Sequence, residues 1–239
     1  MSRVLVTGGS GGIGAALVRR LRAEGHEIVF TFCRGAERAR QLEEATGARP
    51  LHYDQSSIAS VREVASLLRQ GDFDALVNNA GEPPKRQLLV KSDAEQFVSY
   101  QVNALRGVLE LSNAFAARAR ERQTGGAIVN VLTTYTLGVP PAKLSAYVTS
   151  KYALLGLTRS MAVEFVRYGI RVNAVSPGMT RTEFIADLPE MFIEQLESGL
   201  PMQRLATPHE VAGVIHFLLS PDAAYVHGAN LPVTGGQAC

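Results

Sequence analysis

Cysteine is scarce in this sequence, since Cys33 and Cys239 are the only two among 239 residues. Two thiols far apart in the chain provide neither a disulfide framework nor a CxxC metal pair, so we expect a protein of the reducing cytoplasm. Histidines are equally dispersed, and the sequence therefore predicts no metal site. There are five of them: His26, His52, His209, His216 and His227.

Long hydrophobic runs and an excess of one charge are also lacking. No uninterrupted apolar run approaches the about 18 to 20 residues that cross a bilayer, so we expect no membrane-spanning helix. The opening residues, MSRVLVTGG, enter an apolar segment at once, and no secretory signal is expected. With 24 Lys and Arg residues against 22 Asp and Glu residues, the formal charge is only +2, which argues against nucleic acid as a partner.

Short apolar runs alternate with segments of helical spacing. Ile13, Leu17 and Leu21, for example, place an apolar stripe on one helix face. This alternation predicts an α/β fold with right-handed crossovers and a parallel sheet covered by helices on both faces. No composition break marks a linker, so we expect one domain over residues 1–239. The seven predicted strands are Val4 to Val6, Ile28 to Phe32, Leu51 to Tyr53, Ala75 to Val77, Ala127 to Val131, Ile170 to Val175 and Leu231 to Val233.

The segment from Gly178 to Met202 has the least regular pattern of the chain. PGMTRTEF leads there into IADLPEMFIEQLESGLP. We expect a mobile segment that carries a short helix, of the kind that closes over substrates.

A glycine-rich loop, TGGSGGIG at residues 7–14, joins the first predicted strand to the first predicted helix. Glycine permits a tight turn and close approach of the backbone to a pyrophosphate. The helix start then offers free N–H groups and the positive end of its dipole. The loop is thus a candidate dinucleotide site, and a merely glycine-rich turn is the alternative when it is taken alone.

Residues at the end of the second predicted strand indicate whether the cofactor is NAD(H) or NADP(H). An acid there would accept hydrogen bonds from a ribose 2′-hydroxyl, but residues 30–34, FTFCR, contain none. Arg34 can instead bind a 2′-phosphate through charge-assisted hydrogen bonds, which favours NADP(H). The alternative is a solvated loop cation.

Tyr147 and Lys151 open another predicted helix and, four residues apart, share one face of it. An ammonium near a phenol favours the phenolate, so the pair predicts a lowered tyrosine pKa and a usable acid/base. Such a pair is common on protein surfaces. The pair occurs here in one chain with the glycine loop and with NNAG at residues 78–81, and a chance occurrence of all three patterns is improbable.

With these motifs the sequence resembles the short-chain dehydrogenase/reductase family from Val4 to Gly236. TGGSGGIG, NNAG, YVTSK, NAVSPG and GANLPVTGG occur in the family's order and spacing. The resemblance implies a single Rossmann-type, doubly wound domain with a seven-stranded parallel sheet and helices on both faces. It also implies a catalytic tetrad of Asn, Ser, Tyr and Lys.

Asn103, Tyr147 and Lys151 match three members of that tetrad. The fourth position, thirteen residues before the tyrosine, holds Thr134 where the family usually has Ser. Threonine keeps the hydroxyl, although its methyl group crowds the pocket. Thr133 takes this role instead if the strand end is shifted.

The resemblance assigns a role to each of these residues. The substrate carbonyl oxygen would lie between Tyr147 and Thr134, and Tyr147 would protonate it. Lys151 would bind the nicotinamide ribose, and Asn103 would hold a water that relays protons to Lys151.

The same resemblance implies a set of cofactor contacts. Asp54 would accept from the adenine amino group, while Asn79 and Gly81 would line the adenine-ribose side. Asn78 and Asn130 are expected to be structural, tying neighbouring strands through backbone bonds. The full predicted set is Gly8, Ser10, Gly11, Gly12, Ile13, Arg34, Asp54, Asn79, Ala80, Gly81, Tyr147, Lys151, Pro177, Gly178 and Thr180.

The substrate is less well specified. GMTRTEF and the segment from Arg204 to Pro208 look most like the 3-oxoacyl-carrier-protein reductase branch, which implies reduction of a carrier-bound 3-oxoacyl thioester in fatty acid or polyketide biosynthesis. Arg122 and Arg171 are candidate docking cations, with solvated surface charges as the alternative. Other possibilities are an NADP-dependent alcohol, sugar or steroid dehydrogenase, or a non-catalytic NADP(H)-binding protein. Family members commonly form tetramers, so a homo-oligomer is expected.

Overall fold

A computed structural model describes residues 1–83, 85–182, 185 and 189–238. Its strands are β1 Arg3–Val6, β2 Glu27–Phe32, β3 Arg49–His52, β4 Ala75–Asn78, β5 Gly126–Val131, β6 Ile170–Pro177 and β7 Asn230–Val233. Its α-helices are α1 Gly12–Ala23, α2 Ala36–Thr46, α3 Ile58–Gln70, α4 Ala94–Arg122, α5 Ser145–Phe165, α6 Glu190–Ser198 and α7 Pro208–Leu219. All seven predicted strands are confirmed.

The strands form one parallel sheet in the order β3-β2-β1-β4-β5-β6-β7. The order reverses between β1 and β4. In doubly wound sheets this reversal leaves a crevice beyond the carboxyl ends of the strands, and ligands bind there. The predicted Rossmann-type sheet is therefore confirmed.

Both faces of the sheet are buried, which explains why its strands are almost continuously apolar. Successive residues of a strand point to opposite faces. Leu5 and Leu76 pack in one layer with α3, α4 and α5, whereas Val6 and Val77 pack in the other with α1, α2 and α7. Each layer excludes water from one side of the same strands.

The helices differ in whether a side chain caps their first turn, and this difference bears on the site. Asp93 caps α4 by accepting from the Gln96 N–H, and Thr207 forms a capping box with Glu210 at α7. Gly11, the residue before α1, has no side chain to do this. The first N–H groups of α1 are thus left to another acceptor.

The irregular segment after β6 contains the predicted short helix, α6. It covers a small apolar cluster of Ile185, Ile193 and Leu205. Closure of this segment stays a prediction, and part of it, Glu183, Phe184 and 186–188, lies outside the described residues. None of the described helices combines the length and apolarity needed to cross a membrane.

Candidate active site

The glycine loop is pressed against the carboxyl end of β2. The Gly8 N–H donates to Thr31 Oγ1 at 3.0 Å, and the Gly9 N–H donates to the Thr31 carbonyl at 2.8 Å. A Cβ atom on Gly9 would lie 2.5 Å from the Phe30 Cβ, and one on Gly14 would lie 2.2 Å from the Gly8 carbonyl oxygen. Larger residues do not fit at these two positions.

Asn79 fixes the loop from the other side. Its Nδ2 donates to the carbonyls of Thr7 and Gly8, both at 3.0 Å. The Thr7 hydroxyl in turn accepts from the N–H groups of Asn79 and Ala80 at 2.9 and 3.0 Å. The Asn79 amide nitrogen is therefore already engaged by the loop. Its predicted contact with the adenine-ribose side stays a prediction, as does that of the exposed Gly81.

The residues around the start of α1 fit the pyrophosphate of a dinucleotide. Ser10, Gly11, Gly12 and Ile13 are partly exposed, and Gly11 at the N-cap position has no side chain to cap the helix. Gly12 adopts a φ of 49°, in the left-handed region that favours glycine. Free N–H groups and a helix dipole attract anions at such a turn.

The segment after β6 lies beside this loop. A Cβ atom on Gly12 would be 3.0 Å from the Thr182 methyl carbon, so the two parts of the predicted cofactor site are adjacent. Beyond Pro177, the Gly178 N–H donates to the Val233 carbonyl at 2.9 Å. Thr180 donates its hydroxyl to the Gly178 carbonyl at 3.0 Å. These bonds fix the turn on which Pro177, Gly178 and Thr180 lie.

Arg34 and Asp54 follow neighbouring strands, β2 and β3. Asp54 Oδ1 accepts from the Ser56 N–H at 2.9 Å and from its hydroxyl at 2.7 Å. These hydrogen bonds lower the pKa of Asp54, with smaller contributions from the charges of His52 and Arg34. Arg34 itself is exposed. A cation and an ionised carboxylate thus flank the crevice edge where an adenosine would lie.

Tyr147 and Lys151 lie one turn apart on α5, close to the end of β5. Lys151 Nζ is 5.8 Å from the Tyr147 ring centroid and donates to the Val131 carbonyl at 2.8 Å. That carbonyl belongs to the last residue of β5, at the carboxyl edge of the sheet. The predicted pair is therefore held beside the crevice by a strand end.

Burial decides the ionisation of both groups. It raises the pKa of Tyr147 to about 12, against a hydrogen bond with the Thr133 side chain that lowers it. It lowers the pKa of Lys151 to about 8. The sequence predicted a lowered tyrosine pKa, and the structure gives the opposite direction because desolvation penalises the phenolate more than its neighbours stabilise it. Tyr147 therefore keeps its proton at neutral pH.

The structure distinguishes the two adjacent threonines. Thr133 has an extended backbone, with φ of −162°, and its side chain is hydrogen-bonded to Tyr147. Thr134 begins a short 3₁₀ helix, Thr134–Thr136, and is buried. The residue brought to Tyr147 is thus the alternative that the sequence left open. It lies fourteen positions before the tyrosine, one position further than Thr134.

Asn103 lies half-buried on α4, and its predicted water-binding role stays a prediction. Two neighbours on that helix belong to no sequence motif. Gln101 Nε2 donates to the carbonyl of Ala146, the residue before Tyr147, at 2.9 Å. Tyr100 lines a small cavity with Tyr147 and donates to the Glu82 carbonyl at 3.0 Å. Only the packing of α4 on α5 places them there.

Asn78 and Asn130 have the structural role that was expected, but through different bonds. Asn78 Nδ2 donates to Asn130 Oδ1 at 2.8 Å and to the Ser112 hydroxyl at 3.2 Å. Asn130 Nδ2 donates to the Thr158 hydroxyl at 2.9 Å. These side chains are buried, so the bonds link β4 and β5 to α4 and α5 rather than to strand backbone.

The two candidate docking cations both have contacts within the chain. Arg122 Nη1 lies 3.3 Å from Asp72 Oδ1. Arg171 donates to the carbonyls of Ser220 at 3.3 Å and Val226 at 3.5 Å, and partial burial lowers its pKa. Both cations are therefore engaged within the chain, and their docking role stays a prediction.

Comparison with known proteins identifies the family of this chain. The family model described as Enoyl-(Acyl carrier protein) reductase matches residues 8–238. Acetoacetyl-CoA reductase of Rhizobium meliloti (strain 1021) is 35% identical over 241 residues, which are 99% of each chain. 3alpha-Hydroxysteroid dehydrogenase of Mediterraneibacter gnavus (strain ATCC 29149 / DSM 114966 / JCM 6515 / VPI C7-9) is 32% identical over 97% of this chain and 94% of its own.

Solved structures give the same result. A short chain dehydrogenase/reductase family protein is 38% identical, with a TM-score of 0.87 over 98% of this chain and 96% of its own. BdcA, solved in complex with NADPH, is 30% identical, with a TM-score of 0.87 over 98% and 93%. The chain belongs to the short-chain dehydrogenase/reductase family. It is an oxidoreductase that acts on carbonyl or hydroxyl groups.

Proposed function

We propose that this oxidoreductase is an NADPH-dependent ketoreductase that reduces a 3-oxoacyl thioester to the 3-hydroxyacyl form. One observation carries the proposal: Tyr147 is hydrogen-bonded to Thr133, its ring centroid lies 5.8 Å from Lys151 Nζ at the carboxyl edge of the sheet, and burial raises its pKa. A phenol that keeps its proton suits a donor to a carbonyl oxygen that receives negative charge.

When bound, the nicotinamide supplies the hydride to the carbonyl carbon. Tyr147 donates its proton to the carbonyl oxygen, and the Thr133 hydroxyl donates a hydrogen bond to the same oxygen. The Lys151 ammonium stabilises the phenolate that remains and binds the nicotinamide ribose. Asn103 holds the water that returns a proton by way of Lys151. In this assignment Thr133 takes the tetrad hydroxyl, and Thr134 supports the turn behind it.

The preference for NADPH rests on the end of β2. Arg34 is exposed there, two residues after the strand, and none of residues 30–33 before it is acidic. The resemblance to BdcA, which was solved with NADPH, supports a dinucleotide in this crevice. The glycine loop, Asp54 and the turn from Pro177 to Thr180 would make the remaining contacts with the cofactor.

The thioester substrate is proposed from the similarity of this chain to reductases that are named for such a substrate. Acetoacetyl-CoA reductases of Rhizobium meliloti (strain 1021) and Shinella zoogloeoides are 35% and 33% identical over nearly the whole chain. A second candidate, a steroid dehydrogenase, is favoured by the 32% identity to the 3alpha-hydroxysteroid enzyme. A carrier-protein substrate is the less supported form of the first candidate, because Arg122 and Arg171 are engaged within the chain.

The test follows NADPH absorbance in the presence of acetoacetyl-CoA, an acetoacetyl carrier protein or a 3-oxosteroid. NADH is run in parallel, and Tyr147→Phe serves as the control. We expect oxidation that prefers NADPH, uses a thioester and is lost by about 10³-fold in Tyr147→Phe, the scale of general acid catalysis. Oxidation with the steroid alone would favour the second candidate. Near-normal turnover in Tyr147→Phe would overturn the mechanism.

A further inference from the structure

Three side chains converge at the amino edge of the sheet, opposite the candidate active site. Glu24 follows α1, His26 precedes β2, and His216 lies in the last turn of α7. Helices run against the strands they connect, so helix ends and strand starts meet at this edge. Among the histidine, cysteine and carboxylate groups of the described residues, these three alone form such a cluster.

Their geometry is close to that of a metal site. One ligand atom from each residue lies within 4.8 Å of the other two. His216 Nε2 and Glu24 Oε2 are already 2.6 Å apart. Two ligands of one zinc ion, each about 2.0 to 2.1 Å from the metal, can be no more than about 4.2 Å apart. To bind one ion together, side-chain rotation must open the His216–Glu24 contact and shorten any separation above about 4.2 Å.

The backbone of the cluster is well fixed. The His26 N–H donates to the Leu21 carbonyl at 3.1 Å, and the His26 carbonyl accepts from Arg22 Nη1 at 2.7 Å. The Glu24 N–H donates to the Arg20 carbonyl at 3.2 Å. Ligands held in this way lose little conformational freedom when an ion binds.

A further contact orients one of the ligands. Arg20 Nε lies 3.6 Å from Glu24 Oε1, which leaves Oε2 directed at His216. Partners of this kind orient metal ligands in known sites. His26 Nδ1 accepts from the Ser2 N–H at 3.2 Å. That hydrogen bond opens when His26 binds an ion, because a neutral imidazole that ligates through one nitrogen carries its proton on the other.

The cluster is also accessible. The His216 and Glu24 side chains are 21% and 40% exposed. An ion can thus enter from solvent and keep water in its remaining coordination positions. Two imidazoles and one carboxylate suit zinc and neighbouring transition metals, whereas Mg²⁺ and Ca²⁺ prefer all-oxygen sites.

We propose that Glu24, His26 and His216 form a binding site for a divalent transition-metal ion of the zinc type. The bound ion replaces the direct contact between His216 Nε2 and Glu24 Oε2. It joins the ends of α1 and α7 to the chain just before β2, and so stabilises the folded state without touching the oxidoreductase site.

The test is calorimetric titration of the untagged full-length chain with Zn²⁺, with Mg²⁺ in parallel. The variants are His216→Gln, Glu24→Gln and His26→Gln. His209→Gln is the matched control, because His209 is an exposed histidine on the same helix as His216. The melting temperature is recorded with and without Zn²⁺ for each protein.

We expect one Zn²⁺ per chain in the wild type and in His209→Gln, with a raised melting temperature and no response to Mg²⁺. Each ligand variant should weaken Zn²⁺ binding by at least about tenfold, since loss of even a supporting partner has that effect. Circular dichroism and the melting temperature without metal establish that the variants are folded. Absence of saturable Zn²⁺ binding in the wild type, or equal binding in all ligand variants, would overturn the proposal.

Discussion

The cofactor loop and the catalytic cluster lie at the same edge of the sheet but are built by different means. The loop relies on backbone: Gly9 and Gly14 have no room for a Cβ atom, and Asn79 holds the loop carbonyls. The catalytic cluster relies on side chains from separate elements, Thr133 after β5 and Tyr147 on α5. The spacing of one short motif is enough to form the loop, whereas the catalytic cluster forms only when separate elements pack together.

The largest expected effect separates the two neighbouring threonines. Thr133→Val removes the hydroxyl that contacts Tyr147 at nearly constant volume, and we expect kcat/KM for ketone reduction to fall by about 10² to 10³-fold. Thr134→Val should reduce it by less than about tenfold, because only support of the turn is altered. Thr133→Ser should keep most of the activity. Initial rates with saturating NADPH measure all three.

A larger loss in Thr134→Val than in Thr133→Val would return the tetrad hydroxyl to Thr134. Circular dichroism of both variants is the control, since both side chains are buried.

The next effect concerns the backbone-built loop. In Gly14→Ala the new methyl group would meet the Gly8 carbonyl at 2.2 Å, so we expect a loss of about 1 to 3 kcal/mol in the free energy of unfolding. Gly213→Ala is the matched control, on the helix that packs against α1. There a Cβ would lie 3.6 Å from the flexible end of Arg20, and we expect a gain of about 0.5 to 1 kcal/mol. Urea denaturation measures both, and equal effects would contradict the crowding of Gly14.

The pH dependence tests the catalytic cluster without mutation. The pKa of Lys151 is lowered to about 8, so its ammonium is lost as the pH rises through that value. Tyr147, with its pKa raised to about 12, stays protonated over the same range. Ketone reduction should therefore be constant below pH 8 and fall about tenfold per unit well above it. A flat kcat/KM profile up to pH 10 would show that the Lys151 charge is dispensable.

The smallest effect belongs to the cofactor edge. Arg34→Gln removes an exposed cation, and we expect the KM for NADPH to rise by about tenfold while that for NADH stays within about twofold. Salt should weaken NADPH binding in the wild type more than in the variant, because exposed charges are screened. Equal changes for the two cofactors would remove Arg34 from the 2′-phosphate site.

Much of this protein follows from local pattern. The seven strands were predicted at their positions because a strand that is buried on both faces is an almost continuous apolar run. Such runs stand out between segments of helical spacing. The glycine loop and the Tyr147–Lys151 pair were also found, since each depends on residues within one turn or one helix. What the sequence missed were contacts between elements, such as that of Gln101 with Ala146.

The sequence by itself determined the α/β order, the glycine loop and the identity of Tyr147 and Lys151, because periodicity and short-range geometry govern these features. Tertiary structure decided that Thr133 faces Tyr147, that burial raises the tyrosine pKa, and that His26 and His216 meet at Glu24. Each of these depends on distances between residues remote in the chain. Such distances are set by how helices pack on the sheet, which the spacing of residues in a sequence does not contain.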